Sequence, residues 1–212
     1  MTALRSVGTV AVYAASCGRA TSRRFTLAVA LCFALGACGS SPTERFFTLS
    51  APTVPMPQAA DYVVVVGPIT IPEIVDRPQI VLRTGSEQVE IAEQARWAAP
   101  LKSEIPRVIA DELTRLLKGA RTVTSTERTN GTPDYRVIID IPRFESSLRD
   151  GATLQASWTV HAPDGSQSGQ SVVNEPAGGN YDSLVAAHRQ ALARVSRDIA
   201  AAIETARARQ RR

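Results

Sequence analysis

The sequence predicts an α/β fold: a single domain in which a mixed β-sheet carries two main amphipathic helices. Three observations predict it. Two long windows repeat apolar residues at spacings of three and four, the signature of a helix buried along one face. Several shorter runs alternate apolar and polar residues between Gly-, Pro- and Asn-rich turns, as half-covered strands do. One run, "YVVVV", does not alternate, which fits a central strand buried on both faces.

Taken in order, "ERFFTLS" (44–50) forms a first strand, and the Pro-rich "APTVPMPQAA" after it excludes both a helix and a sheet ladder. "YVVVVGPITIP" is the buried strand. "QIVLR" and "QVEIA" flank Thr84-Gly85-Ser86-Glu87 and predict a hairpin with a four-residue loop. Leu101, Ile105, Val108, Ile109, Leu113, Leu116 and Leu117 line one face of the first helix. Ser103 is its candidate N-cap, with Pro106 in the first turn, and Gly119 is its left-handed stop. "RTVTS" is a short strand. "DYRVIIDIPRFESS" and "ATLQASWTVHAP" are the best strands in the chain. In the second, Leu154, Ala156, Trp158 and Val160 point to the core while Thr153, Gln155, Ser157 and Thr159 point away. Pro163-Asp164-Gly165 turns the chain into "SGQSVVNE". Asn180 then caps a long helix whose apolar stripe runs through Leu184, His188, Ala191, Leu192, Val195, Ile199 and Ile203.

The N-terminal region has a different character. Arg23 and Arg24 precede an apolar stretch, Phe25 to Ala34, of about ten residues, too short for the roughly 20 that cross a bilayer as a helix. Small residues follow, then Cys38. A basic segment, a short apolar segment and small residues at the cut describe a secretory signal. Leu35-Gly36-Ala37-Cys38 resembles the bacterial lipobox, in which the cysteine is acylated and becomes the first residue of the mature chain. The expected organisation is a signal peptide (1–37), a lipidated tether (38–43), one domain (44–206) and a basic tail (207–212).

Cleavage there removes four arginines and no acid, so the formal charge falls from +4 to +4 − 4 = 0. The basic character belongs to the signal and gives no support to nucleic-acid binding. Cys17 and Cys32 leave with the signal, and acylation blocks Cys38, so the mature chain has neither a free thiol nor a disulfide. Stability must come from a packed core, which the remaining 212 − 37 = 175 residues can supply. Arg207, Arg209, Arg211 and Arg212 read as a frayed, solvated helix end.

Motifs for chemistry are sparse. The two histidines, His161 and His188, stand apart, with His188 on an apolar stripe where a buried structural role is the ordinary one. No paired-cysteine spacing, HExxH, G-x-S-x-G or phosphate-binding glycine loop is present. Asp76, Asp111 and Asp140 lack a spacing that would pair them as acid and base. The sequence therefore predicts a non-enzymatic protein with no cofactor and no metal.

The stretch that stands out is "IPEIVDRPQIVLRTG", followed by "RWAAPL". With "FFTLSAP", "DYRVIIDIPRFE" and "YDSLVAAHRQALARVSRDIAAAI", these pieces resemble the PqiC-like (YmbA-like) ABC-type transport auxiliary lipoproteins, in the same order and over nearly all the mature chain. The resemblance implies a lipoprotein of the outer membrane that faces the periplasm. It also implies work with an MCE-domain periplasmic protein and inner-membrane transport components in moving lipids, and a ring-like homo-oligomer. It points to Asp76, Arg77, Pro78, Gln79 and Arg83 as partner-binding residues. An internal reading of the same residues stays open, in which Asp76 and the arginines brace a hairpin whose start Pro78 shapes. Rival functions are a binding module of another envelope complex, gripping peptidoglycan or Tol-like proteins, and a periplasmic hydrolase.

Overall fold

A computed structural model describes residues 43–49, 60–127 and 131–212. The expected signal peptide, Cys38, almost all of the Pro-rich spacer and Asn130 lie outside the described residues. Eight strands form one mixed sheet: β1 (Arg45–Phe47), β2 (Tyr62–Thr70), β3 (Gln79–Arg83), β4 (Val89–Trp97), β5 (Ala120–Thr124), β6 (Tyr135–Ser147), β7 (Gly151–Ala162) and β8 (Gly165–Glu175). The helices are α1 (Leu101–Leu116) and α2 (Tyr181–Gln210), and a 3₁₀ turn, Glu73–Val75, lies between β2 and β3.

The long strand β6 organises the sheet. One of its edges pairs in parallel with β2 through residues 135–140 and with β3 at Leu82↔Ser146. Its other edge pairs antiparallel with β7, from Arg136↔His161 to Ser147↔Gly151. Beyond β3 come β4 and β1, beyond β2 comes β5, and beyond β7 comes β8. Parallel β1/β4, β2/β5, β2/β6 and β3/β6 pairs mix with antiparallel hairpins, so the expected mixed sheet with two packed helices is what forms.

Periodicity chose the buried face correctly, except that Leu116, expected on the apolar stripe of α1, is exposed. Leu154, Ala156, Trp158 and Val160 are buried on β7, Val64, Val65 and Val66 on β2, and every apolar position assigned to the stripe of α2 is buried. Asn180 accepts from the Ser183 amide at 2.9 Å while the Ser183 hydroxyl sits 3.4 Å from the Asn180 amide, a reciprocal cap that starts α2. Gly119 has φ +74°, the left-handed conformation that ends α1 without a Cβ penalty.

Four details differ from expectation. First, α1 begins at Leu101 with Pro100 as N-cap, and the Ser103 hydroxyl donates back to the Pro100 carbonyl at 2.8 Å instead of capping. Pro106 thus lies inside the helix, where it withholds one backbone donor. Second, the hairpin pairs Arg83 with Val89, so its loop is Thr84–Gln88. Third, β1 stops at Phe47, because the buried Glu104 carboxylate takes the Thr48 hydroxyl (2.6 Å) and the Leu49 amide (3.0 Å) and draws the chain toward α1. Fourth, α2 continues through Gln210, and Arg207 lies over the Tyr62 ring at 3.9 Å. Arg207 is therefore a packed residue of the domain, held by a cation–π contact.

Candidate functional site

The two most distinctive stretches of the sequence meet in space. Asp76-Arg77-Pro78 leads into β3, and Trp97-Ala98-Ala99-Pro100 joins β4 to α1; together they line a cleft of about 350 Å³. Backbone bonds hold them in register: the Trp97 amide donates to the Pro78 carbonyl at 2.7 Å, and the Ala98 amide to the Phe47 carbonyl at 2.7 Å. Proline at 78 and at 100 removes backbone donors on both sides and keeps the connections extended. Trp97 is buried and forms the floor between the cleft and the core.

Each proposed residue has a definite position. Asp76 ends the 3₁₀ turn, and its carboxylate meets the Lys102 ammonium of α1 at 2.6 Å. Both side chains are partly exposed, so this pair contributes little, at most about 1 kcal/mol. Arg77 is half-buried, and its Nε, shut off from solvent, has no hydrogen-bond partner. Pro78 is exposed, and Gln79 sits opposite Arg96 on β4. Arg83 lies at the other end of β3, away from the cleft. Its guanidinium donates to Glu145 at 2.6 Å and to the Ser86 carbonyl at 2.8 Å, tying the hairpin loop to β6. Arg143 shares the same carboxylate at 3.2 Å.

The structure thus joins Asp76, Arg77 and Pro78 in one cleft and separates Arg83 from them. A second hollow of about 240 Å³ lies at the Arg83 end, where Ile74 of the 3₁₀ turn overhangs Val81 and Val89, with Arg83, Arg143 and Glu145 along its rim. Ile74 and Val89 are exposed there. Sequence reasoning missed both. Ile74 lies in a three-residue 3₁₀ turn with no period to read, and Val89 opens a strand whose partner is known only from the fold.

The histidines lie elsewhere. His161 is exposed on β7, with Nδ1 2.8 Å from the Ser166 hydroxyl. His188 is completely buried on α2: Nε2 is 2.7 Å from the Ser146 hydroxyl, and the ring stacks on Phe144 at 4.2 Å. Nδ1 has no partner, and burial drives the pKa down to about 3. A Ser–His pair with no solvent access cannot meet a substrate.

The profile of the ABC-type transport auxiliary lipoprotein component family matches residues 47–200, which include the cleft, the hairpin and both helices as far as Ala200. Among curated proteins no match is found. Among solved structures, an uncharacterised protein superposes with a TM-score of 0.64 at 17% identity, covering 76% of this chain and 99% of its own. A protein of the family of unknown function DUF330 from Xanthomonas campestris gives a TM-score of 0.53 at 18% identity, covering 73% of this chain and 92% of its own. These likenesses establish a shared fold. By the family match over most of its domain, the chain belongs to the ABC-type transport auxiliary lipoproteins.

Proposed function

We propose that this chain is the lipid-anchored, periplasm-facing auxiliary component of an MCE-type intermembrane lipid-transport system, and that it supports the integrity of the outer membrane. The observation that carries the site is the cleft in which "DRP" and "WAAP", the sequence pieces most typical of the family resemblance, face each other. The role is binding rather than catalysis: Asp76, Arg77, Pro78 and Gln79 form the partner surface, and Arg77 is its centre. Among the described residues Arg77 makes no ion pair, so its planar guanidinium remains available to a partner's carboxylate or carbonyl groups. Arg83 contributes indirectly, by bracing the hairpin through Glu145.

Two substitutions separate these roles. Arg77→Ala is expected to leave stability within about 1 kcal/mol, as surface changes usually do. It should nevertheless abolish co-purification with the MCE-domain protein and sensitise cells to detergent. Arg83→Ala breaks a partly exposed ion pair and should cost no more than about 1 kcal/mol, with a weaker effect on partner capture. Wild-type capture by Arg77→Ala would refute the cleft as the docking site. Recovery of muropeptides or Tol-like proteins as main partners would favour a different envelope complex.

The anchor is tested separately. Cys38 supplies the only thiol at the signal's end, and burying acyl chains contributes about 0.8 kcal/mol per methylene. Cys38→Ala should move the protein from the membrane fraction to precursor or soluble forms. Gly39 follows the cysteine, with no aspartate to mark inner-membrane retention, so density-gradient separation should place the wild type with the outer membrane. Co-sedimentation of wild type with the inner membrane would contradict this.

A further inference from the structure

Three strands end the sheet, and they are not alike. β1 has three residues and β5 has five, and each carries an arginine, Arg45 and Arg121. Short, charged strands of this kind keep an open edge from pairing with another chain. β8 is the opposite case. Its eleven residues pair with β7 without a bulge, so its far side offers a straight row of unpaired backbone donors and acceptors. "GSQSGQSVVNE" contains no proline and no basic residue, and its one charge, Glu175, is buried and meets Arg194.

Helix α2 leaves this edge uncovered. It meets β6 near both ends, where His188 reaches the Ser146 hydroxyl at 2.7 Å and Gln210 accepts from the Tyr135 hydroxyl at 3.0 Å. It reaches β8 through the side chains of Asp198 and Arg194, directed at Ser171 and Glu175. The helix axis therefore runs over β6 and β7, inward of β8. On the helix-free face Ser166, Ser168, Gln170, Val172 and Asn174 are exposed. Ser166, Ser168 and Asn174 bond across to His161, Thr159 and Thr153 of β7. Val172 is 65% exposed, more than any other large apolar side chain among the described residues.

We propose that two copies of this chain join their sheets through antiparallel β8 strands, across a two-fold axis at Val172. The side chains select the register. An axis at Val172 sets residues 169–175 against the same residues of the second copy, with Val172 opposite itself, Gln170 opposite Asn174 and Glu175 opposite Gly169. The most exposed apolar side chain then packs on its own copy, and no like charges meet. Pro176 comes next, opposite Ser168, and having no N–H it ends the ladder there. Length selects β8 itself as the occupant, since a β1 or β5 edge could match no more than five of its residues. A two-fold also puts both Cys38 lipids at the same height along its axis, so both can enter one membrane. Confinement to that surface raises the effective concentration of one copy for another. The helices do not obstruct the pair. With strands about 4.8 Å apart, an α2 axis over β7 stands roughly 14 Å from its copy, beyond the 8–10 Å at which helices pack.

The proposal does not depend on the identity of the transport partner. Because the mature lipoprotein has no free thiol, a single added cysteine reports on its own position, with the parent protein as background. Directly opposed residues of an antiparallel ladder have Cα atoms about 4.5–5.5 Å apart, within reach of a disulfide. Val172→Cys and Gln170→Cys, both at exposed positions of one face, are made in the full-length lipoprotein and oxidised in isolated membranes with copper–phenanthroline. Val172→Cys is expected to run mostly as a dimer on a non-reducing gel. Gln170→Cys, displaced from its copy by four residues or roughly 13 Å, is expected to stay monomeric. Equal dimer yields at both positions would show random collision and overturn the proposal. A dimer through 170 alone would overturn the register and the role given to Val172. No dimer at either position, or a cross-link from 172 to a different protein, would overturn self-pairing. Loss of MCE co-purification in Arg77→Ala would leave these yields unchanged, so the transport reading and this one fail separately.

Discussion

Replacing Trp158 with alanine is expected to cost on the order of 3–5 kcal/mol, the usual range for deleting a large buried aromatic side chain. Trp158 sits on the helix-covered face of β7, only 7% exposed. Its ring lies over Gly169 of β8, where an added Cβ would come within 2.3 Å of the indole. Its Nε1 donates to the Ser171 hydroxyl at 3.1 Å, and that hydroxyl donates to the Asp198 carboxylate at 2.6 Å. The indole thus fills space between β8 and α2 and takes part in a polar chain linking them. Alanine would leave a cavity that the paired strands cannot collapse, and would strip Ser171 of a donor. Against a typical domain stability of about 5–15 kcal/mol, that loss brings the protein close to unfolding. Urea denaturation followed by far-UV circular dichroism measures it. An unchanged midpoint would mean that the indole does not pack as described. Gly169→Val should destabilise for the complementary reason, since the space it needs is already occupied.

Acidification is expected to destabilise the domain through His188. The folded-state pKa is about 3, against an ordinary value of about 6.5, because the ring is sealed among Phe144, Trp97 and Ser146. Protonation would make both ring nitrogens donors, and only Ser146 is placed to accept. The sign follows from linkage. Below pH 6.5 the unfolded chain takes up a proton that the folded chain refuses, so this contribution to stability is complete above 6.5 and declines until pH reaches about 3. The full decline is about 5 kcal/mol, of which about 2 kcal/mol falls between pH 6.5 and 5, where most carboxylates are still ionised. Urea midpoints measured across that window should fall with pH in the wild type. In His188→Gln the slope over the same window should largely disappear, from a lower starting stability. A wild-type midpoint that is flat from pH 7 to 5 would show that water reaches the imidazole.

Much of the fold was legible because burial on this protein is periodic. Alternation in "ATLQASWTV" and three–four spacing in the last helix translate directly into which face meets the core, and Asn180 and Gly119 mark helix ends by local chemistry alone. The placement of His188 in the core followed from its stripe in the same way. Family membership was legible for a related reason. The "DRPQIV-x-R" and "RWAAPL" pieces are irregular, and an irregular sequence is more distinctive than an amphipathic helix.

Other features depended on residues far apart in the chain. The end of β1 was misjudged because Glu104, 56 residues beyond Thr48, takes the Thr48 hydroxyl and the Leu49 amide, and the start of α1 because the Ser103 hydroxyl bonds back to the Pro100 carbonyl instead of capping. The division of Asp76–Arg83 into a cleft and a brace depends on Lys102, Trp97 and Glu145, none of which is a sequence neighbour. The exposure of Phe46 depends on a β-bulge between Gln79 and Ile80 that shifts β4 against β3 and brings Arg96, and with it Phe46, onto the helix-free face. By itself, then, the sequence determined the secondary structure, the core stripes, the family and the expected lipid anchor. The tertiary structure decided which of the arginines is braced and which is free, and which apolar residues stay outside. The physical reason is that periodicity reports only whether one element has a buried side. Pairing register and long-range ion pairs determine what each side faces, and they exist only once the strands have met.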